Sequence, residues 1–238
     1  MSELDVTSFP IDIYADGPTE DEIAMFDKTI VRGYTFNPTL FKKLKVSDYL
    51  GHCRKVLQAC GDVPVSLEAF ADDIAGMVRQ ARILDKLGPN VFVKIPITFT
   101  SGKSTLPVIE TLVKDGMKLN ITAVFTKKQV DSILPTLKNT NAIISVFAGR
   151  LFDVGIDAVE ATGEIAKLVR ENSNCKTLWA SPRMVYDVKN ACSAGCDIIT
   201  MAPDLIKKTA LFNKSPEEHS LATVKMFYQD AKTSGYEL

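Results

Sequence analysis

Short apolar runs alternate along the chain with longer segments whose apolar residues recur at helical spacing. The runs are rich in Val, Ile, Leu and Phe, which is typical of strands covered on both faces. The predicted strands are residues 11–15, 30–34, 64–68, 91–95, 118–122, 142–146, 176–180 and 197–200. The predicted helices are residues 70–87, 106–113, 127–137, 157–170, 182–194 and 216–232.

Capping residues mark several of the predicted helix boundaries. Thr19 precedes an acidic first turn, Ser104 precedes Leu106, and Ser181 precedes Pro182, which favours a helix beginning at that proline. Glycines are placed to end helices before the next strand, at Gly88, Gly116 and Gly195.

Regular alternation of strands and helices indicates parallel pairing through right-handed crossovers. Eight such units in 238 residues predict a closed (β/α)8 TIM barrel, in the α/β class, better than an open sheet. No linker divides the chain, so we expect one domain over residues 1–238. Within it, residues 203–238 form a C-terminal helical appendage.

Composition and charge exclude several classes of protein. Apolar residues make up 46% of the chain, and 28 basic side chains balance 29 acidic ones. A balanced charge gives no basic excess that would attract nucleic acid or an acidic membrane surface. We therefore expect neither as a partner. Apolar runs are too short for a membrane span, and the first residues lack signal-peptide features. We therefore expect a cytoplasmic globular protein.

Scarce residue types exclude other chemistry. The two histidines, His52 and His219, are too few for a multi-histidine metal site and are expected to be ordinary helix residues. The five cysteines form no C-x-x-C pair, so we expect reduced thiols rather than a zinc site, although Cys192 and Cys196 are close in sequence. We predict no metal.

Nucleotide-binding signatures are also incomplete. The run from Gly102 through Lys103 and Ser104 resembles the end of a P-loop, but Ile97 occupies the position where that loop needs a glycine. No Gly-x-Gly occurs, so the dinucleotide fingerprint is missing as well. We read this segment as a helix start and predict no cofactor.

A lysine interrupts the fourth predicted strand. Lys94 is the one charged residue in Val-Phe-Val-Lys-Ile-Pro, a run suited to full burial. A buried ammonium must find a partner or lose its proton, and an amine activated this way is the nucleophile of Schiff-base chemistry. The alternative is that Lys94 extends from a strand end to solvent.

Other polar residues also lie at strand ends, which is where (β/α)8 barrels carry their active sites. They are Asp16, Asn37, Glu68 with Ser66, Asn120, Thr122, Ser145 beside Phe147, Ser181 and Thr200. Ser145 and Thr122 could instead be core hydroxyls. Arg150 and Arg183 follow the sixth and seventh strands and are surface residues if taken singly. Together with Ser181 and a helix N-terminus they predict a phosphate site.

These residues lie in motifs that resemble the transaldolase family, specifically its short members related to fructose-6-phosphate aldolase. The motifs are Tyr-Ala-Asp16, Thr-Phe-Asn37-Pro, Val-Ser-Leu-Glu68, Val-Lys94-Ile-Pro, Leu-Asn120-Ile-Thr122, Ile-Ser145-Val-Phe147-Ala-Gly-Arg150 and Ala-Ser181-Pro-Arg183. The resemblance implies a cofactor-free enzyme of the pentose phosphate pathway that acts on sugar phosphates. It also implies a homo-oligomer, a pentamer or a decamer, joined through the C-terminal helix.

The same resemblance implies roles for the residues. Lys94 forms the Schiff base, Asp16 is the base for carbon–carbon cleavage, and Glu68 and Thr122 hold a proton-transferring water. Substrate hydroxyls are bound by Asn37, Asn120 and Ser145, and the phosphate is bound by Arg150, Ser181 and Arg183.

Departures from the family pattern leave alternatives open. Phe36 and Pro182 replace common family residues and are expected to reshape the donor or phosphate pocket. The aldolase branch has tyrosine at position 147 and glutamine at position 68, so Phe147 and Glu68 favour a transaldolase. The alternatives are fructose-6-phosphate aldolase, a transaldolase for sulfonated ketoses, and a sugar-phosphate-binding barrel without turnover.

Overall fold

The structure, a computed structural model, describes residues 6–237. Within this range parallel strands close into a barrel in chain order, β1 to β8, which confirms the TIM-barrel prediction. The strands are β1 (Asp12–Asp16), β2 (Val31–Thr35), β3 (Val65–Glu68), β4 (Val91–Pro96), β5 (Leu119–Val124), β6 (Ile143–Val146), β7 (Lys176–Trp179) and β8 (Ile198–Met201). Each overlaps the strand predicted from the sequence.

Helices follow the strands, and all except the last, α11, lie around the barrel. They are α1 (Glu20–Met25), α2 (Pro38–Lys43), α3 (Tyr49–Cys60), α4 (Ile74–Asp85), α5 (Leu106–Lys114), α6 (Lys127–Leu137), α7 (Ala148–Asp153), α8 (Ala158–Asn172), α9 (Asp187–Ser193), α10 (Pro203–Lys208) and α11 (Pro216–Ser234). The predicted caps act at several boundaries: Thr19 forms a capping box with Glu22, and Gly116 and Gly195 have left-handed backbones, with φ of 75° and 74°.

Two predicted helix starts are wrong. Helix α4 begins at Ile74 and not at Phe70, because the side chain of Asp73 caps it by accepting a hydrogen bond from the N–H of Gly76. Helix α9 begins at Asp187 and not at Pro182, because Ser181 has a φ of 60° that a right-handed helix cannot include. The buried carboxylate of Asp187 also accepts hydrogen bonds from the backbone N–H groups of Arg183 (2.6 Å) and Met184 (3.1 Å). These bonds hold residues 181–186 as a turn.

The barrel interior has two levels. Strand register places alternate residues inward, so that Tyr14 pairs with Gly33, and Glu68 pairs with Lys94. The ring of Tyr14 lies directly over Gly33, where any Cβ would be 2.6 Å from it. The lower level is an apolar floor formed by Tyr14, Phe92, Ile143, Leu178 and Ile198. The upper level, toward the strand ends, is polar, and we call this end the carboxyl mouth.

The chain after β8 leaves the barrel. Helix α10 and a 3-10 turn (Thr209–Leu211) are followed by α11, which begins with a capping box between Ser215 and Glu218. None of the side chains of α11 is buried. Between residues 6 and 237 no helix has both the length and the apolar content of a membrane span.

Two expectations involve residues outside the described range. The absence of signal-peptide features concerns residues 1–5, and the predicted appendage includes residue 238. The assignment of the whole chain to one domain stays a prediction.

Candidate active site

The predicted polar residues meet at the carboxyl mouth because the strand register aligns them. Glu68 on β3 is the Cα partner of Lys94 on β4, and Lys94 is the partner of Asn120 on β5. Thr122 is the next inward-facing residue of β5 after Asn120, and its Cα partner on β4 is Pro96. The strands thus turn residues that are far apart in sequence into neighbours on one inner surface.

Lys94 is buried and has a carboxylate partner. Its side chain is only 7% exposed, and its Nζ lies 3.2 Å from Oε2 of Glu68. The backbone carbonyl of Glu68 accepts a hydrogen bond of 2.8 Å from the hydroxyl of Tyr49, which fixes the end of β3. Lys94 therefore does not extend to solvent. A buried ion pair is costly to desolvate and contributes little to stability by itself, which favours a chemical role for the lysine.

Asp16, the last residue of β1, carries the second carboxylate of the site. Its Oδ1 accepts a hydrogen bond of 2.6 Å from the hydroxyl of Thr35. Dense surrounding protein raises the pKa of Asp16, while Lys94, the Thr35 hydroxyl and Lys43 act in the opposite direction. The side chain remains partly accessible from the mouth, so a substrate hydroxyl can reach it.

Asn120 is held by a hydroxyl on each side. Its Oδ1 accepts a hydrogen bond of 2.6 Å from Ser145, and its Nδ2 donates one of 3.0 Å to Ser66. All three side chains are buried. The amide is therefore fixed in orientation beside Lys94, as a group that recognises a specific hydroxyl pattern must be.

Thr122 is buried, and its hydroxyl has no hydrogen-bond partner within residues 6–237. A buried hydroxyl without a partner costs free energy, and a bound water or substrate group would satisfy it. Thr122 differs from a hydrogen-bonded core hydroxyl in this respect, and its inward strand position places it beside Lys94 and Asn120.

The segment after β2 contains two residues named in the predictions, Asn37 and Phe36. Asn37 lies at the mouth, where its Oδ1 caps α2 by accepting from the N–H of Leu40 at 3.0 Å, leaving the amide nitrogen as the donor for a ligand. Phe36 is fully buried, with its ring 5.7 Å from that of Phe41. Phe36 therefore packs in the core and does not line the mouth directly, and its expected effect on a pocket stays a prediction.

Arg150, Ser181 and Arg183, which we call the anion seat, are brought together by close backbone contact. The N–H of Gly149 donates to the carbonyl of Ala180 at 3.3 Å, joining α7 to the turn after β7. Arg183 forms a two-bond ion pair with Asp153, and the guanidinium of Arg150 lies 5.0 Å from the centre of the Phe147 ring.

The anion seat differs from the prediction in one respect. Because α9 begins at Asp187, the helix N-terminus predicted directly after Ser181 is not there, and the helix that begins beside Ser181 is α7. The backbone N–H groups of Arg183 and Met184 already donate to Asp187. The predicted anion site therefore depends on side chains, and one of these, the guanidinium of Arg183, is already paired with Asp153.

The loops above Lys94 and Glu68 are tied together. Asp72, between β3 and α4, accepts hydrogen bonds from the backbone N–H of Thr100 (2.8 Å) and from its hydroxyl. These bonds lower the pKa of Asp72 and connect the loop after β3 to the loop after β4.

Sequence reasoning assigned no role to several residues that support the site. Thr35, Tyr49, Ser66, Asp153 and Thr200 all contact predicted site residues or one another. Thr35, Ser66 and Thr200 share the inward strand positions. Ser66 and Thr200 are among the predicted strand-end residues, and the same two-residue alternation could have found Thr35. Tyr49 and Asp153 lie on helices, where strand alternation carries no information.

The fold and site define a TIM barrel with a buried lysine–carboxylate pair at its carboxyl mouth. Residues 13–237 match the model of the Transaldolase/Fructose-6-phosphate aldolase family, so the chain belongs to that family. This confirms the resemblance drawn from the motifs.

Curated relatives agree with that assignment. The chain is 36% identical over 185 residues to a protein named "Probable transaldolase" from Methanococcus maripaludis, covering 77% of this chain and 81% of the relative. It is 35% identical over 190 residues to another of that name from Roseiflexus castenholzii, covering 79% and 84%. A dihydrodipicolinate synthase structure from Rhodopseudomonas palustris shares the fold, with a TM-score of 0.58, 14% identity, and coverage of 88% of this chain and 76% of that one.

Proposed function

We propose that this protein is a transaldolase, which transfers a dihydroxyacetone unit from a ketose phosphate to an aldose phosphate. Fructose 6-phosphate and sedoheptulose 7-phosphate are the proposed donors. The observation that carries the proposal is the buried Lys94, paired at 3.2 Å with Glu68 inside the barrel. The two relatives named "Probable transaldolase" support it independently.

The first step is imine formation. The amine of Lys94 attacks the ketose C2 carbonyl after giving up a proton, and Glu68 is the nearest acceptor for that proton. The resulting carbinolamine loses its hydroxyl as water when a proton returns to it, leaving an iminium ion. Thr122, whose hydroxyl is buried without a partner among the described residues, is the proposed anchor for the water that carries these protons.

The second step breaks a carbon–carbon bond. Asp16 removes the proton from the C4 hydroxyl, and the C4–O bond becomes a carbonyl as the C3–C4 bond breaks. The bonding electrons move to the iminium nitrogen, which becomes the enamine nitrogen. An aldose phosphate leaves, and a dihydroxyacetone unit stays on Lys94. The enamine then attacks an acceptor aldehyde such as erythrose 4-phosphate, and the same steps run in reverse.

The remaining site residues orient the substrate. Asn37, Asn120 and Ser145 bind hydroxyls of the three-carbon unit, and the anion seat holds the phosphate at the far end of the chain. A sulfonate is also an anion with three oxygens, so a sulfonated ketose is the alternative donor class.

Fructose-6-phosphate aldolase is the second candidate, because the matching family includes both activities. Release of free dihydroxyacetone requires protonation of the enamine. Phe147 lies at the end of β6 and has no hydroxyl that could help position the proton donor, which favours transfer over release.

Borohydride trapping tests the proposal. Fructose 6-phosphate and borohydride should add a reduced three-carbon unit to the wild-type protein, detected by mass spectrometry. Lys94→Met, which keeps similar volume without an amine, should give no adduct while folding normally. A folded wild-type protein without an adduct, tried with several ketose phosphates, would indicate a binding barrel without turnover.

We also propose self-association through α11. This helix leaves Leu221, Val224, Met226, Phe227 and Tyr228 between 52% and 69% exposed. Leu221, Val224 and Tyr228 have the spacing of one helix face, so their apolar surface forms a stripe. The occupant we propose for this stripe is a second copy of the chain, in a ring or a pair of rings.

A further inference from the structure

Two buried threonines, one on each strand that flanks β1, form a hydrogen-bonded chain with Asp16. The hydroxyl of Thr35 on β2 lies 2.6 Å from Oδ1 of Asp16 and also 2.6 Å from the hydroxyl of Thr200 on β8. Thr35 is 2% exposed and Thr200 is 5% exposed. We call this set the hydroxyl relay.

Proton counting fixes the direction of the relay when Asp16 is ionised. A carboxylate only accepts hydrogen bonds, so Thr35 must donate its single hydroxyl proton to Oδ1. Thr35 then has no proton left for Thr200, and Thr200 must be the donor between the two hydroxyls. The order of donation is therefore Thr200 to Thr35 to Asp16.

This arrangement makes the two oxygens of Asp16 unequal. Oδ1 is occupied by a short hydrogen bond from a neutral donor, which favours the ionised carboxylate. Oδ2 is the oxygen that remains to take a proton from a substrate at the mouth.

We propose that Thr35 and Thr200 are positioning residues that fix Asp16 as an ionised base and direct its Oδ2 toward the substrate hydroxyl. This inference rests on the proposed function, since it assigns the support of the base in carbon–carbon cleavage. Both threonines act through Asp16 and do not touch the substrate carbon atoms.

The hydroxyl relay and burial have opposite effects on the pKa of Asp16. Burial raises the pKa of Asp16, and the two charged groups that oppose this are Lys94 on β4 and Lys43 on α2. Lys94 changes its own charge during imine formation, so its help varies through the cycle. A hydroxyl donor stays constant. Loss of the Thr35 donor removes stabilisation of the ionised form and should raise the pKa of Asp16 further.

The test compares the pH dependence of transfer for Thr35→Val, Thr35→Ser and Thr200→Val. Valine keeps the shape of threonine without the hydroxyl, and serine keeps the hydroxyl. Because the base works only when ionised, Thr35→Val should move the acid limb of kcat upward by about 1 to 2 pH units. Thr200→Val should move it less, and Thr35→Ser should keep the wild-type profile.

A second measurement makes the result independent of turnover. Carboxyl carbon NMR of Asp16 in the free protein should show the same ordering of pKa values among the variants, even if transfer is undetectable. Borohydride adducts should still form in Thr35→Val, because Lys94 and Glu68 are unchanged.

The outcomes separate the two proposals. A wild-type protein that forms no adduct removes the proposed function. An active wild type with an unshifted acid limb and an unshifted Asp16 titration in Thr35→Val overturns the relay. Equal shifts in Thr35→Ser and Thr35→Val also overturn it, because packing and not the hydroxyl would then be responsible.

Discussion

Replacing Gly149 by alanine tests how tightly the anion seat is built. An ideal Cβ at Gly149 would lie 1.6 Å from the backbone carbonyl oxygen of Ser181, whereas real Cβ atoms essentially never approach within 3.0 Å. The backbone must therefore move by more than an ångström. Ser181 is already at a φ of 60°, and the turn that follows it is held by Asp187, so the carbonyl cannot move freely.

The expected cost is at the upper end of the range for overpacking, about 3 kcal/mol or more of unfolding free energy. For a chain of this size that corresponds to a melting temperature roughly 6 to 12 °C lower. Gly163→Ala is the matched control. Gly163 is also a helical glycine, but its added Cβ would meet nothing closer than 3.8 Å. That variant should gain about 0.5 to 1 kcal/mol from helix propensity.

Thermal and urea unfolding, followed by circular dichroism at one fixed protein concentration, measure both effects. Gly149→Ala should also weaken phosphate binding, because the movement displaces Ser181 and Arg183. A Gly149→Ala variant as stable as Gly163→Ala would show that the two loops separate at little cost. The conclusion that the anion seat is rigidly built would then be wrong.

Three further predictions concern specificity and assembly. Arg183→Ala should raise KM for phosphorylated substrates by about tenfold and leave KM for unphosphorylated ones unchanged. The increase is no larger because Arg183 is partly exposed and already paired with Asp153. An equal increase for both substrate types would show that Arg183 does not bind the phosphate. Phe147→Tyr should raise the ratio of free dihydroxyacetone to transferred product, measured with and without erythrose 4-phosphate, and rapid release by the wild type would instead indicate an aldolase. Val224→Glu, which places a charge in the apolar stripe, should lower the solution mass measured by light scattering, whereas Gln229→Glu on the same helix should not. A monomeric wild type would contradict self-association through α11.

The sequence was sufficient to predict the barrel because its strands are buried on both faces. Such strands appear as continuous apolar runs, and a single polar interruption such as Lys94 stands out. The partner of Lys94 was not deducible from the run alone, since Glu68 reaches it only through the pairing of β3 with β4.

The start of α9 could not be predicted for a related reason. Ser181 followed by Pro182 has the local chemistry of a helix start, and that signal is short-range. The opposing factors are tertiary: the close approach of Gly149 to Ser181 and the capping of the turn by Asp187. Tertiary contacts of this kind override local propensity where a loop must shape a binding surface.

The apolar floor leaves the barrel interior open at one end only. If a sugar is cleaved above that floor, the departing aldehyde and the arriving one must use the same opening, and they need the same space beside Asp16. The first aldehyde must therefore leave before the second can bind. Such a reaction follows substituted-enzyme kinetics, in which double-reciprocal plots at several acceptor concentrations are parallel. The time that Lys94 spends carrying the three-carbon fragment would then be set by exchange through this single opening.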